Sequence, residues 1–228
     1  MSINAIVSYD DTDNDLDALA FGRVLSDVGT DLTLAYVRHT TQSERSREEL
    51  EEHEAETLLA RGAQRLEDVE VEQRVVVSAS TPEGLKWLAE DEDADVVVFG
   101  SDYRTAIGHV SPGRSAQTLL EGGPAALAIA PSGYHVDSAP RIRRIGLLAA
   151  PGDDAALETA HHLAEAFDAT LSRDERQVDL LVVGSRSEAP EGRVMVTAHA
   201  QKAIENAAFP VLVVARGVPL RFPTPVAA

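Results

Sequence analysis

The residues best placed to do chemistry lie in one stretch, Gly100–Ser115, reading GSDYRTAIGHVSPGRS. It carries Gly100, Gly108 and Gly113, then Arg114 and Ser115, and runs into an apolar helical pattern. Glycines let backbone N–H groups approach an anion closely, and the start of a helix adds unpaired donors. Arg114 supplies a cation and Ser115 a hydroxyl. The implied chemistry is the binding of a phosphate-bearing ligand, with no bond made or broken. A second cluster, Asp10-Asp11-Thr12, follows a short apolar run. In open α/β sheets ligands sit beyond the carboxyl ends of the strands, where the strand order reverses. Asp10, Thr12, Val37 at the end of a second apolar run, and Gly100 all stand at such ends.

Other readings of these residues fail. An EF-hand loop beginning at Asp11 needs glycine sixth and an acid twelfth, but the chain has Leu16 and Gly22 there. A phosphotransferase of the Asp-x-Asp type needs its second acid one place later than Asp11. His161 and His162 are adjacent, about 100° apart on a helix, and cannot readily share a metal. There is no cysteine, hence no thiolate site or disulfide. No serine sits in a nucleophile elbow. The reading is of a protein that is not an enzyme, with slow hydrolysis of the bound phosphate ligand left open.

The elements that must position these residues follow from hydrophobic pattern. Ile3–Tyr9, Leu32–Val37, Val71–Ser78, Asp95–Gly100 and Pro124–Ala130 are short, apolar and rich in branched side chains, as buried strands are. Between the first two, Leu16, Leu19, Ala20, Val24 and Val28 share one helical face, and Gly29 is a stop. A long acidic helix over Leu50–Leu66 follows the second strand, and Thr81-Pro82 opens another after the third. Strands alternating with helices, with apolar strands throughout, predict a parallel sheet covered on both faces.

The pattern then restarts. Pro131–Arg141 reads as a linker, Ile142–Ala149 as a strand and Asp154–Phe167 as a helix. Asp179–Gly184 (DLLVVG) echoes Asp95–Gly100 (DVVVFG), and Phe209–Arg216 echoes Gly123–Pro131. From Leu32 to Gly100 the first copy spends 68 residues, whereas from Leu171 to Gly184 the second spends 13. The second copy is therefore expected to lack roughly two strands and two helices. A right-handed crossover then puts its first helix on the opposite sheet face from Leu16–Val28. The alternative is a relic strand at Ala169–Ser172 that keeps the old face.

The order of elements and the loop together resemble the universal stress protein family in a tandem form. The resemblance is nearly full over Ile3–Tyr134 and partial over Ile142–Gly217. It rests on Gly100 and Gly113, at the outer spacing of G-x2-G-x9-G-[ST], and on Arg104, Gly108, Val110 and Pro112. It implies a doubly wound five-stranded parallel sheet in the order 3-2-1-4-5, followed by a truncated copy. The implied units are residues 1–133 and 142–217, joined by 134–141 and trailed by 218–228. It also implies that the first unit binds ATP or a related adenine nucleotide, with Mg as a companion ion. Asp10 and Thr12 would face the adenine and ribose, the backbone of Val37 the adenine, and Gly100, Tyr103, Gly113, Arg114 and Ser115 the phosphates. Two positions depart from the family pattern. Tyr103 replaces the middle glycine, and Arg114 the hydroxyl residue, with Ser115 one place late. In the second copy Ala150 aligns with Asp10 and Thr197 with Gly113, so that copy is expected to be structural.

Charge narrows the partners. The 38 acidic and 20 basic residues leave a formal net charge of −18, which repels a phosphate backbone and argues against nucleic acid. No apolar run reaches the roughly 18–20 residues of a membrane span. The residues Met1–Asp11 lack the basic start of a secretory signal, which predicts a cytoplasmic protein. The apolar edges Ala125–Ala130 and Val211–Ala215 are expected to pair the two copies, with two chains then forming a homodimer. The leading function is a nucleotide-binding regulatory stress protein with an unknown protein partner. The alternative is a ligand-free dimerisation and assembly module.

Overall fold

In the computed structural model, residues 2–39, 45–66, 68–136, 141–172 and 177–223 are described. The first five main strands are β1 (Ile3–Ser8), β2 (Thr30–His39), β3 (Val71–Ser78), β4 (Val96–Gly100) and β6 (Ala126–Ala130). They lie in the order β3-β2-β1-β4-β6, all parallel. The helices between them are α1 (Asp13–Ser26), α2 (Arg45–Gln64), α3 (Thr81–Asp91) and α4 (Arg114–Leu120). The inner strands β4 and β6 are buried on both faces. Along β4, Val96 and Val98 enter one core and Val97 and Phe99 the other. Helices α1 and α2 cover the first face, α3 and α4 the second. The turn after α1 uses Gly29 at φ +85, a left-handed conformation that costs glycine little.

The second half adds β7 (Arg144–Leu148), α5 (Ala155–Ala166), β8 (Thr170–Ser172), β9 (Leu180–Gly184), α6 (Ala198–Glu205) and β11 (Val211–Val214). These strands extend the same sheet in the order β11-β9-β7-β8. The register repeats: Ala5 pairs Val96 as Ile145 pairs Leu180. The expected loss of two strands is corrected, because β8 stands beside β7 as β2 stands beside β1. Three residues suffice for that pairing. Helix α5 packs into the same core as α1, so the face reversal does not occur and the relic strand keeps the original hand.

The halves meet where β6 and β11 run antiparallel, with Leu127 opposite Val213 and Ile129 opposite Val211. Both strands are fully apolar and buried. Among the described residues one sheet of nine strands results. Flanking contacts tighten the junction. A short strand β5 (Glu121–Gly123) from the first half pairs with β10 (Val194–Met195) from the second, a pairing without a signature in the pattern of apolar residues. The Val110 N–H donates to the Ala207 carbonyl at 3.0 Å, and Arg193 meets Glu90 at 2.8 Å.

The repeat is also visible in two buried serines. Ser101 Oγ donates to the Ala130 carbonyl at 2.7 Å and accepts the Ser111 N–H at 3.2 Å. Ser185 Oγ donates to the Val214 carbonyl at 2.7 Å and accepts the Met195 N–H at 3.2 Å. Each hydroxyl ties the loop after one strand to the end of its neighbour.

Beyond β11, Leu220 and Phe222 are buried in the core beneath α1 and α5. The Leu220 N–H donates to Thr159 Oγ1 at 2.9 Å. No helix among the described residues is long and apolar enough to cross a membrane.

The junction generates a prediction. Val213 has no exposed surface, so Val213→Asp puts an unpaired carboxylate into it. The expected cost is upward of about 3 kcal/mol. Urea melts of the two proteins check it, and an unchanged midpoint would mean the junction contributes little to stability.

Candidate functional site

A cleft of about 840 Å³ opens where β1 and β4 end, the point at which strand order reverses. One wall is the start of α1 with Asp10, Thr12, Asp13, Asn14, Asp15 and Asp17. The other is the loop after β4, with Gly100 to Tyr103, Thr105 and Ile107, and the first residues of α4. The segment Ser132–Val136 completes it.

Of the residues singled out in the sequence, Asp10, Thr12, Gly100, Tyr103, Gly113, Arg114 and Ser115 line this cleft together. Val37 does not. Its side chain is buried beneath α3, where a Cβ on Gly84 would lie 2.7 Å from Val37 Cγ1. The two outer glycines have different reasons. A Cβ on Gly100 would fall 1.9 Å from the Asn14 carbonyl oxygen, so glycine is what lets α1 start directly against β4. A Cβ on Gly113 would meet only Asp102 Cα, at 4.0 Å. Nothing in the chain itself demands glycine there. Gly113 also leaves the start of α4 without a side-chain cap, whereas Thr197 caps α6 through its hydroxyl to the Ala200 N–H. The second half thus satisfies with its own side chain what the first leaves open.

Tyr103 does not fill the space. Its side chain is 70% exposed, with the Arg104 guanidinium stacked 4.9 Å from the ring centroid. Arg114 is exposed and makes no ion pair among the described residues. Asp11 turns away from the cleft at φ 63, accepting from Tyr9 Oη at 2.7 Å and pairing with Arg61 at 3.0 Å. Burial, and behind it the Asp11 carboxylate, push the Tyr9 phenol up to about 12.

The acidic wall is organised around two buried carboxyls that the sequence motifs did not single out. Asp15 Oδ2 accepts the N–H groups of Asp10 and Thr12, each at 2.9 Å, and lies 2.7 Å from Thr12 Oγ1. Asp17 holds the segment after β6: Oδ2 accepts the Gly133 N–H and Oδ1 the His135 N–H, both at 2.9 Å. Only the spacing Asp13-Asp15-Asp17, alternating acids at a helix start, marks them in the sequence. Among the described residues no three acidic or imidazole groups converge as metal ligands.

Burial, then the hydrogen bond and charge of Asp10, push the Asp15 carboxyl up to about 7, against the two backbone donors that pull it down. The unfolded chain binds that proton only below about pH 4. Between about pH 4 and 7 the folded protein therefore holds more protons than the unfolded one, and stability falls as pH rises through that window. Asp15→Asn removes the ionisation while keeping an acceptor for the N–H groups. Urea midpoints at pH 5.5 and 8 should drop less in the variant than in the parent; equal drops would locate the effect elsewhere.

Comparison with known proteins agrees with this architecture. The profile of the universal stress protein family matches residues 2–131 and 171–215. No curated protein matches the chain. Among solved structures, a universal stress protein from Archaeoglobus fulgidus is 15% identical, with 94% of this chain and 98% of that chain covered and a TM-score of 0.71. A putative universal stress protein from Pseudomonas aeruginosa is 12% identical, with 93% and 92% covered and a TM-score of 0.61. A universal stress protein in complex with cAMP is 18% identical, with 57% and 98% covered and a TM-score of 0.46. The profile spans more than half of the sequence, and the A. fulgidus protein shares the fold over nearly its whole length: the chain belongs to the universal stress protein family.

Proposed function

We propose that the first half, residues 1–133, binds ATP or a related adenine nucleotide in this cleft, and that residues 142–217 serve as structure. One observation carries the reading. The loop from Gly100 to Ser115 brings Gly113, Arg114 and Ser115 to one face of an 840 Å³ space opposite Asp10 and Thr12, at the strand-order reversal. That volume is within the range of small-ligand sites, roughly 300–1,000 Å³. The fit to the phosphate end is supported by Gly113, whose missing side chain leaves backbone open to the cleft, and by Tyr103 lying outward. Any Mg would arrive with the phosphates. The adenine end is less defined, because Val37 lies outside the lining. The second half braces the loop through the Val110 N–H to Ala207 bond across the junction. This describes a regulatory binding protein of the cytoplasm acting as a homodimer, not an enzyme.

A second reading, the ligand-free assembly module, is favoured by the five aspartates lining the cleft, Asp10, Asp13, Asp15, Asp17 and Asp102, which repel an anion.

Titration calorimetry on the full chain with ATP, and with cAMP as a second probe, separates the two. Heat with ATP supports the first, and no heat with either favours the second. If Arg114 meets a phosphate, Arg114→Ala weakens ATP by roughly 1.5–3 kcal/mol, the loss of a hydrogen bond to a charged group. Equal affinities would remove Arg114 from the site.

A further inference from the structure

The segment read from composition as the start of a linker is part of the cleft wall. Residues Tyr134–Val136 form a 3-10 turn docked on α1, with the Tyr134 ring edge-on to Phe21 at 5.9 Å and 79°. Beneath it lies Asp17, 2% exposed, whose bonds all go to this segment. Besides the two backbone N–H groups, Asp17 Oδ1 sits 2.6 Å from His135 Nδ1. A carboxylate already accepting two N–H bonds is an acceptor only, so Nδ1 carries the proton and donates. The ring is thereby fixed in tautomer and orientation, as a buried carboxylate fixes an imidazole elsewhere. Its other nitrogen, Nε2, has no partner among the described residues, and His135 lines the cleft with 36% of its side chain exposed.

The charges around the cleft say what Nε2 meets. Asp10, Asp13, Asp15 and Asp102 repel an anion from most of the wall. Among the described lining residues, Arg114 and His135 alone carry side chains able to offer a cationic N–H. A phosphate-bearing ligand is accommodated where these two act on it.

We propose that His135 is a ligand contact of this cleft, its Nε2 meeting the phosphate-bearing end of the nucleotide, with Asp17 as the residue that positions the ring. The inference rests on the nucleotide reading above and adds to it where the phosphates lie. When it donates to phosphate the ring is protonated on both nitrogens, with Asp17 as the counter-charge.

Two variants test the contact. The amide of Asn overlays imidazole Nδ1, so His135→Asn keeps a donor for Asp17 but ends short of the cleft. The longer Gln places its amide near Nε2, so His135→Gln keeps a donor for the ligand. Thermal melts establish that both are folded. With full-length protein and ATP in the calorimeter, His135→Asn should weaken binding about tenfold or more, and His135→Gln should restore most of it. Asn binding ATP as the parent does, or Asn and Gln losing equally, overturns the contact while leaving the nucleotide reading intact. No heat from the parent overturns both. Asp17 is tested by ring 15N shifts of His135. The parent should show a fixed Nδ1–H that Asp17→Ala, which leaves no acceptor, loses; absence of that signature in the parent, or its retention in the variant, overturns the positioning role.

Discussion

An apolar strand with one unpaired edge cannot be left in water, and this constraint governs the architecture. Strand β6 is buried at every residue, and β4 covers only one of its sides. The other needs a strand of equal character, and β11 supplies it. Everything kept in the second half serves that edge. β9 carries β11, β7 carries β9, and α5 and α6 cover the two faces. What has been lost lies farthest away, at the edge beyond β8. The second half keeps the elements that hold the sheet together.

The cleft is balanced between two electrostatic demands. Asp15 and Asp17 are placed for the chain's own needs, since one closes the turn from Asp10 to Thr12 and the other clamps the turn after β6. Both therefore bring negative charge to the wall that a phosphate would face in the proposed nucleotide complex. The raised Asp15 carboxyl softens this, because protonation removes one charge near neutrality. Arg114 and the loop glycines stand on the opposite wall.

Much of this was legible in the sequence, for physical reasons that differ by residue. The alternation of strands and helices followed from the short apolar runs, whereas the strand order came only with the family resemblance. The cleft loop was legible because Gly100, Gly113 and Arg114 carry their spacing locally. Val37 stands outside the cleft lining with its side chain packed beneath α3, and the family resemblance assigned only its backbone to the adenine. His135 was invisible because PSGYHVDSAPR has the composition of a linker, and only Asp17, 118 residues away, gives it a fixed place. Strand β8 was ambiguous because three residues carry too little pattern to separate a strand from a loop. The β5–β10 pair is two short polar-flanked pieces brought together by the junction, which no local signal encodes.

The pairing of β6 with β11 also sets the order in which the molecule becomes safe. Leu127 faces Val213 across the junction. During synthesis the amino-terminal half emerges first, and domains tend to fold as they emerge. For as long as the ribosome takes to deliver the later strand, the folded half carries a naked apolar edge, open to a neighbour on the same message. Residues 1–133 carry 26 acidic and 10 basic residues, a net charge of −16, which then acts as mutual repulsion between nascent chains, holding that edge apart until its own partner arrives.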